Sequence, residues 1–568
     1  MHEVSSDCPR EGQWTIEARL GPYQAQMNRA LVELAREDVL PRIWAHDHTV
    51  WKPQPDEITN RLGWLHIASL MEADLPRLEA SARAAWEEGY RQALVLGMGG
   101  SSLAPALYGK VFAPQGRAGL ELGVLDSTDP GAVLAQLERL DLQRTLFIVS
   151  TKSGTTVETL SLFRFFYGQV LALKGPDRAG EQFVAVTDSG TWLAGEAQRL
   201  RFRSIFLGEP TIGGRYSALS VFGLLPAALA GLDLSRLLAE ALSAMEACGP
   251  HVPADSNPAA FLGCILGGLA LAGRDKVTFV LPQPLAPFGD WAEQLLAEST
   301  GKEGKAIVPV VGEPLGPPEV YSDDRLFVWV GGAPDASTRA ALAALEQAGH
   351  PLVWVGLRDE YTLGGAFFLW ELATAVAGSR LGVNPFDQPD VESAKHLARQ
   401  ALAAAKEHGA AVGPVAEPAT AWDLGALREC VRPGDYVALL AYLPPLAEVT
   451  ARLQALRVAL RDRFKVATTL GFGPRYLHST GQMHKGDRGN GVFIQFTADP
   501  ERDVPIPDAA GGAAATLTFG QLEAAQAEGD RRALAQAGRR LWRVHLGSDP
   551  VSALAEIAAV LGDRGGAG

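Results

Sequence analysis

Short β-rich runs separated by helical segments, occurring in two successive groups, leave this chain few folds. The first group covers 93–97, 122–126, 146–150, 183–187 and 204–207; the second covers 276–281, 306–311, 326–331, 352–356 and 435–442. Strands that alternate with helices predict a parallel sheet covered on both faces. The fold class is therefore α/β, with two tandem domains at 91–250 and 251–510. Residues 1–90 read as amphipathic helices broken by Pro41, Pro53 and Pro55, with Trp44, Trp51 and Trp64 scattered among them, and 511–568 returns to Ala/Leu/Arg helix. The Ala/Gly/Pro-rich stretch 409–418 is the best linker.

Composition then removes whole classes of function. The 568 residues carry 51 Lys+Arg against 65 Asp+Glu, a net charge of −14, and 47% are hydrophobic against 20% charged. That balance fits a packed globular chain rather than a disordered one. An acidic surface opposes general binding to nucleic acid or anionic membranes, which requires excess Lys and Arg. The long apolar stretches 216–232 and 258–273 are short for a membrane span and contain Gly, Ser or Pro, so they predict buried helices. Four separated cysteines, Cys8, Cys248, Cys264 and Cys430, give neither a C-x-x-C pair nor a zinc cluster, and with no apolar run in 1–10 the expectation is a reduced, cytoplasmic setting.

Two segments carry the phosphate chemistry. Leu96-Gly97-Met98-Gly99-Gly100-Ser101-Ser102 joins a strand to a helix, where glycines let backbone N–H groups approach an anion. The dinucleotide pattern G-x-G-x-x-G is not met, since Ser102 holds the sixth position. The second segment, 149–159, crowds six hydroxyl side chains and Lys152 at a helix start, and Leu160, Phe163, Tyr167 and Val170 mark that helix's core face. An N-cap explains one or two hydroxyls, not six, so a pocket for a held phosphate is the better reading.

Together these loops resemble those of the glucose-6-phosphate isomerase family, built from paired sugar isomerase domains. Gly213-Gly214-Arg215-Tyr216-Ser217 is similar to its arginine segment, Glu293-Gln294 through Glu298 to Lys302 to its glutamate segment, and Asn384 to Glu392 with Lys395 to its lysine segment. The histidine loop resembles Leu477-His478-Ser479-Thr480-Gly481-Gln482, but it follows the lysine segment instead of preceding it. That order looks like the isomerase half of fused transaldolase and glucose-6-phosphate isomerase proteins, with no transaldolase half evident. Asp390 stands where the family usually has glycine, and Ser153 and Gly154 replace a threonine and an aromatic.

The resemblance implies an aldose–ketose isomerase of glycolysis and gluconeogenesis, interconverting glucose 6-phosphate and fructose 6-phosphate without a metal or other cofactor. Ring opening is followed by proton transfer between C1 and C2. Glu298 is the implied base, Arg215 the cation beside the developing oxyanion, and His478 with Lys395 the ring-opening pair. Substrate binding is expected at Gly100, Ser101, Thr151, Lys152, Ser153, Thr156 and Gln388. His396 and His484 are competing histidines; Glu303 and Glu371 are the alternative bases. The His46/His48 pair reads as surface or interface rather than metal-binding. The family further implies a homodimer with its active site near the subunit boundary. Alternatives are dual action on mannose 6-phosphate and a non-catalytic sugar-phosphate-binding protein. An aminating synthase is excluded by His2, where a cysteine would be needed.

Overall fold

The computed structural model describes residues 14, 16–112, 118–391, 396–400, 417–418 and 424–562. In the first domain β2 (Gln92–Gly97), β3 (Glu121–Leu125), β4 (Thr145–Ser150), β5 (Phe183–Thr187) and β6 (Ser204–Leu207) form a parallel sheet in the order β3-β2-β4-β5-β6. Alternation along β2 explains how both faces are covered. Ala93 and Val95 join one core with Leu103, Leu107 and Tyr108, whereas Leu94 and Leu96 join another with Leu162, Phe163 and Phe166. The helix Leu103–Val111 and the helix Val157–Lys174 thus lie on opposite faces. The chain reverses direction of travel between β2 and β4, and their ends are in register at Gly97 and Ser150. Such a switch point opens a crevice at the carboxyl ends of the strands.

The second sheet contains β7 (Lys276–Val280), β8 (Val308–Val310), β9 (Arg325–Gly331) and β10 (Leu352–Gly356), all parallel. Its edge strand β1 (Ile16–Arg19) is antiparallel and comes from the leader, which is therefore not wholly helical; the order is β1-β10-β9-β7-β8. A run of four residues with every second one exposed carries too little periodicity to betray such a strand. The leader's tryptophans pack inward: Trp64 lies 5.1 Å from Tyr216, and Trp51 donates to the Ala375 carbonyl at 2.8 Å.

The run at 435–442 does not continue the second sheet. It becomes β12 (Tyr436–Tyr442) in a third parallel sheet with β11 (Glu417–Pro418), β13 (Ala467–Phe472), β14 (Gly491–Thr497) and β17 (Arg540–His545), ordered β11-β17-β14-β12-β13. The C-terminal stretch, expected to be helical, holds the helices Phe519–Gln536 and Pro550–Gly562 with β17 between them. A small antiparallel pair, β15 (Pro505–Ile506) and β16 (Leu517–Thr518), returns to the core of the first domain, where Ile506 and Phe519 pack. The two long apolar stretches are buried helices, Val221–Leu229 and Pro258–Leu271. No helix among the described residues is long and apolar enough to cross a membrane. The buried thiols Cys248 and Cys264 are free and pushed up to about 12 by burial; Cys8 lies outside the described residues.

A buried ion pair ties the second sheet to the third. Arg325 Nη1 lies 2.9 Å from Glu313 Oε1, both side chains are fully shielded, and Glu313 Oε2 also accepts the Thr468 N–H and hydroxyl at 3.1 and 2.7 Å. Removing one partner strands the other charge. Glu313→Ala is therefore expected to lower unfolding free energy by about 3–5 kcal/mol in urea titrations, a loss that an exposed pair such as Arg139–Glu121 would not show.

Candidate active site

Glycine geometry first shows that the separate motifs form one place. A Cβ at Gly100 would lie 1.9 Å from the Gly214 carbonyl, and one at Gly99 would lie 2.7 Å from Gln294 Nε2 and 3.0 Å from the His478 carbonyl. Only bare backbone lets the loop after β2 approach the arginine turn, the glutamate helix and the histidine loop at once. Ser101 is buried in the same loop.

The second loop leaves β4 beside it. Thr151 and Thr156 hydroxyls bond each other at 2.8 Å, and Thr156, the N-cap of the helix Val157–Lys174, gives that helix no side-chain cap. The positive end of that helix therefore carries no side-chain cap from Thr156 and suits an anion. Lys152 is held by Asp188 Oδ2 at 2.5 Å. Ser153 is exposed, its hydroxyl accepting from Thr155, so it is the predicted binding residue least drawn into the cluster.

Glu298 sits on the helix Ala286–Thr300, one turn beyond Gln294, so both project from one face. Gln294 Nε2 donates to Glu298 Oε1 at 3.4 Å and to the His478 carbonyl at 2.8 Å. Arg215, on the short turn Gly214–Tyr216, donates to Glu298 Oε2 at 3.2 Å, Ser299 at 2.9 Å, Gln388 at 2.7 Å and the Pro385 and Asp387 carbonyls at 2.7 and 2.9 Å. Burial raises the Glu298 carboxyl above the ordinary range, and Arg215 opposes that shift. Lys302 Nζ pins the turn that carries Gln388, donating to the Asn384 and Asp387 carbonyls at 2.7 and 2.6 Å, and burial pulls it down to about 8.

His478 arrives from the third sheet, on the turn Arg475–His478 after β13. Its Nε2 lies 3.0 Å from Glu158 Oε1, which also accepts from Gln526 at 2.8 Å. Glu158 and Gln526 line the site beside His478 and are absent from the motif reading; the local signal for Glu158 is its place in the hydroxyl-rich segment. The departure at Asp390 finds a partner here: Gln482 donates to its carboxylate at 2.6 Å and accepts its N–H at 2.9 Å, tying the two loops together. Gly301 has the backbone of Met483 2.4 Å from where its Cβ would lie, so glycine is required for the histidine loop to dock.

The competing residues fall elsewhere. His396 is exposed beside Gln400, and His484 is buried among Tyr436, Tyr476 and Phe493 with neither ring nitrogen bonded. Glu303 pairs with Lys52 at 2.7 Å, half exposed. Glu371 is fully buried with both oxygens unpaired, and burial raises its carboxyl well above the usual range. His46 stacks on His66 at 5.5 Å, and no metal-ligand group of three is present among the described residues. Lys395 lies outside the described residues.

Tandem α/β sheets meeting at a hydroxyl-lined helix start, a buried glutamate on an arginine and a histidine on a second glutamate define the phosphosugar isomerase class. The chain belongs to the phosphoglucose isomerase family. The family profile described as Phosphoglucose isomerase matches residues 84–307. A probable glucose-6-phosphate isomerase of Haloquadratum walsbyi is 30% identical over 349 residues, 54% of this chain and 79% of that protein. The glucose-6-phosphate isomerase of Rubrobacter xylanophilus is 28% identical over 411 residues, 64% of this chain and 92% of its own length. Among solved structures, a hypothetical protein from Thermus thermophilus superposes with a TM-score of 0.59 at 26% identity, covering 68% of this chain and all of that one. A glucose-6-phosphate isomerase from Chlamydia trachomatis gives 0.54 at 20% identity, covering 70% and 90%, a likeness of fold.

Proposed function

We propose that this chain interconverts glucose 6-phosphate and fructose 6-phosphate, with Glu298 as the base that carries the proton between C1 and C2. The carrying observation is the Glu298–Arg215 pair. A carboxylate kept in reach of a buried guanidinium can take a proton from one carbon and return it to the next, while the same cation steadies the oxygen charge of the enediol-type intermediate. His478, oriented by Glu158, is placed to move the ring-oxygen proton; Lys395 is the family's implied partner in that step. Gln388 shares Arg215 and supports its orientation.

The phosphate is assigned to Gly100, Ser101, Thr151, Lys152, Ser153 and Thr156. Thr151→Val with Thr156→Val is expected to raise KM at least tenfold, since each charge-assisted hydrogen bond is worth about 1.5–3 kcal/mol, with kcat nearly preserved. Steady-state kinetics on both sugar phosphates reads this; an unchanged KM places the phosphate elsewhere. A coupled assay with fructose 6-phosphate tests the function itself, and mannose 6-phosphate in parallel tests dual specificity. Turnover of neither overturns the reading in favour of a binding protein.

Cytoplasmic location and a homodimer complete the proposal.

A further inference from the structure

A cavity of about 260 Å³ lies on the other side of the histidine loop, between the glutamate helix and the third sheet. Its two ends carry opposite charge. At one end is Arg457, 1% exposed, whose Nε and Nη2 are spent on Thr468, leaving Nη1 without a partner among the described residues. Glu313, a carboxylate that acts on Arg457, is already engaged by Arg325. Nη1 and Gln454 Nε2 converge on Gly312, where a Cβ would lie 3.6 and 3.7 Å from them, and Gln454 Oε1 is buried and unpaired.

At the other end the acids outnumber the base. Arg475 serves both Asp126 and Asp290, each at 3.1 Å, and Glu293 stands beside Asp290 with Ser479 donating to it at 3.4 Å. Apolar side chains of Leu103, Val311, Leu470 and Phe472 also line the cavity. A simple anion would satisfy only Arg457, and a simple cation only the acids. We propose that this cavity binds a small zwitterion of the α-amino acid type with an aliphatic side chain, its carboxylate on Arg457 and Gln454 and its ammonium on Asp290 and Glu293. Ser479 adjoins His478, and Glu293 adjoins Gln294, so occupancy touches both arms of the active site. That coupling rests on the isomerase reading; binding does not.

Calorimetric titration with L-valine tests the proposal on the full chain. Saturable binding at one site is expected, persisting with fructose 6-phosphate present. Isovalerate, which lacks the ammonium, and isobutylamine, which lacks the carboxylate, should each bind at least tenfold more weakly. Arg457 also holds Thr468, so its variants could fail to fold. Gly312→Asn keeps Arg457 and suits the left-handed backbone there (φ +66°), while pushing a side chain into the convergence point; at least tenfold weaker valine binding is expected. Absence of saturable binding, equal binding of the singly charged analogues, or unchanged affinity in Gly312→Asn overturns the assignment. If valine binds as expected but leaves kcat and KM unmoved, the site stands and its coupling to isomerisation is refuted.

Discussion

Glu298→Gln is expected to lower kcat by about 10²- to 10⁴-fold with little change in KM. The amide keeps the volume and its oxygen can still accept from Arg215, so the phosphate loops and the arginine turn stay in place while the base is lost. The environment also sets a pH signature. Burial raises the Glu298 carboxyl above the ordinary carboxylate range, and a base must be ionised to accept a proton, so activity is present above that raised value and lost as pH falls through it. The acid limb of the wild-type kcat profile should lie above the normal carboxylate range and vanish in the residual activity of the variant. Neither Glu303, half exposed on Lys52, nor Glu371, sealed without partners, is placed to substitute.

The second large effect is expected at His478. Its replacement by Ala removes the group held by Glu158 and should reduce kcat/KM by about 10²- to 10⁴-fold. Glu158→Gln, which keeps an acceptor for the imidazole but loses the charge, should lower kcat/KM less than His478→Ala does. Because His478 and Glu298 meet within one chain, a co-expressed mixture of Glu298→Gln and His478→Ala chains should show no more activity than the sum of the two. Recovery toward a quarter or more of wild type would mean that the histidine crosses between subunits.

Much of this is legible locally. β2 and β4 are continuous apolar runs ending in Gly97 and Ser150, and loops of glycine or hydroxyl residues followed by apolar helices declare the strand–turn–helix unit without tertiary information. Motifs point to Glu298, Arg215 and Gln388, and the structure brings them onto one guanidinium. What stays hidden is non-local. The run at 436–442 is as apolar as β9, and nothing within it says which sheet it joins; that depends on pairing with β13 and β14. Glu158 reads as a first-turn acid complementing a helix dipole, while its partner lies 320 residues on. Leucines and glycines likewise cannot reveal that the third sheet supplies the histidine, because docking depends on Gly301 meeting Met483 and on Asp390 meeting Gln482.

Solvent exchange tests the central claim most directly. Fructose 6-phosphate converted in deuterated water by the wild-type chain should yield glucose 6-phosphate carrying deuterium at C2, because a carboxylate that holds the migrating proton exchanges it with solvent before returning it. Glu298→Gln should show neither turnover nor label above the uncatalysed background. Label incorporated by the Glu298→Gln chain at near wild-type rate would contradict the account, placing the base on another residue and leaving only the phosphate site intact.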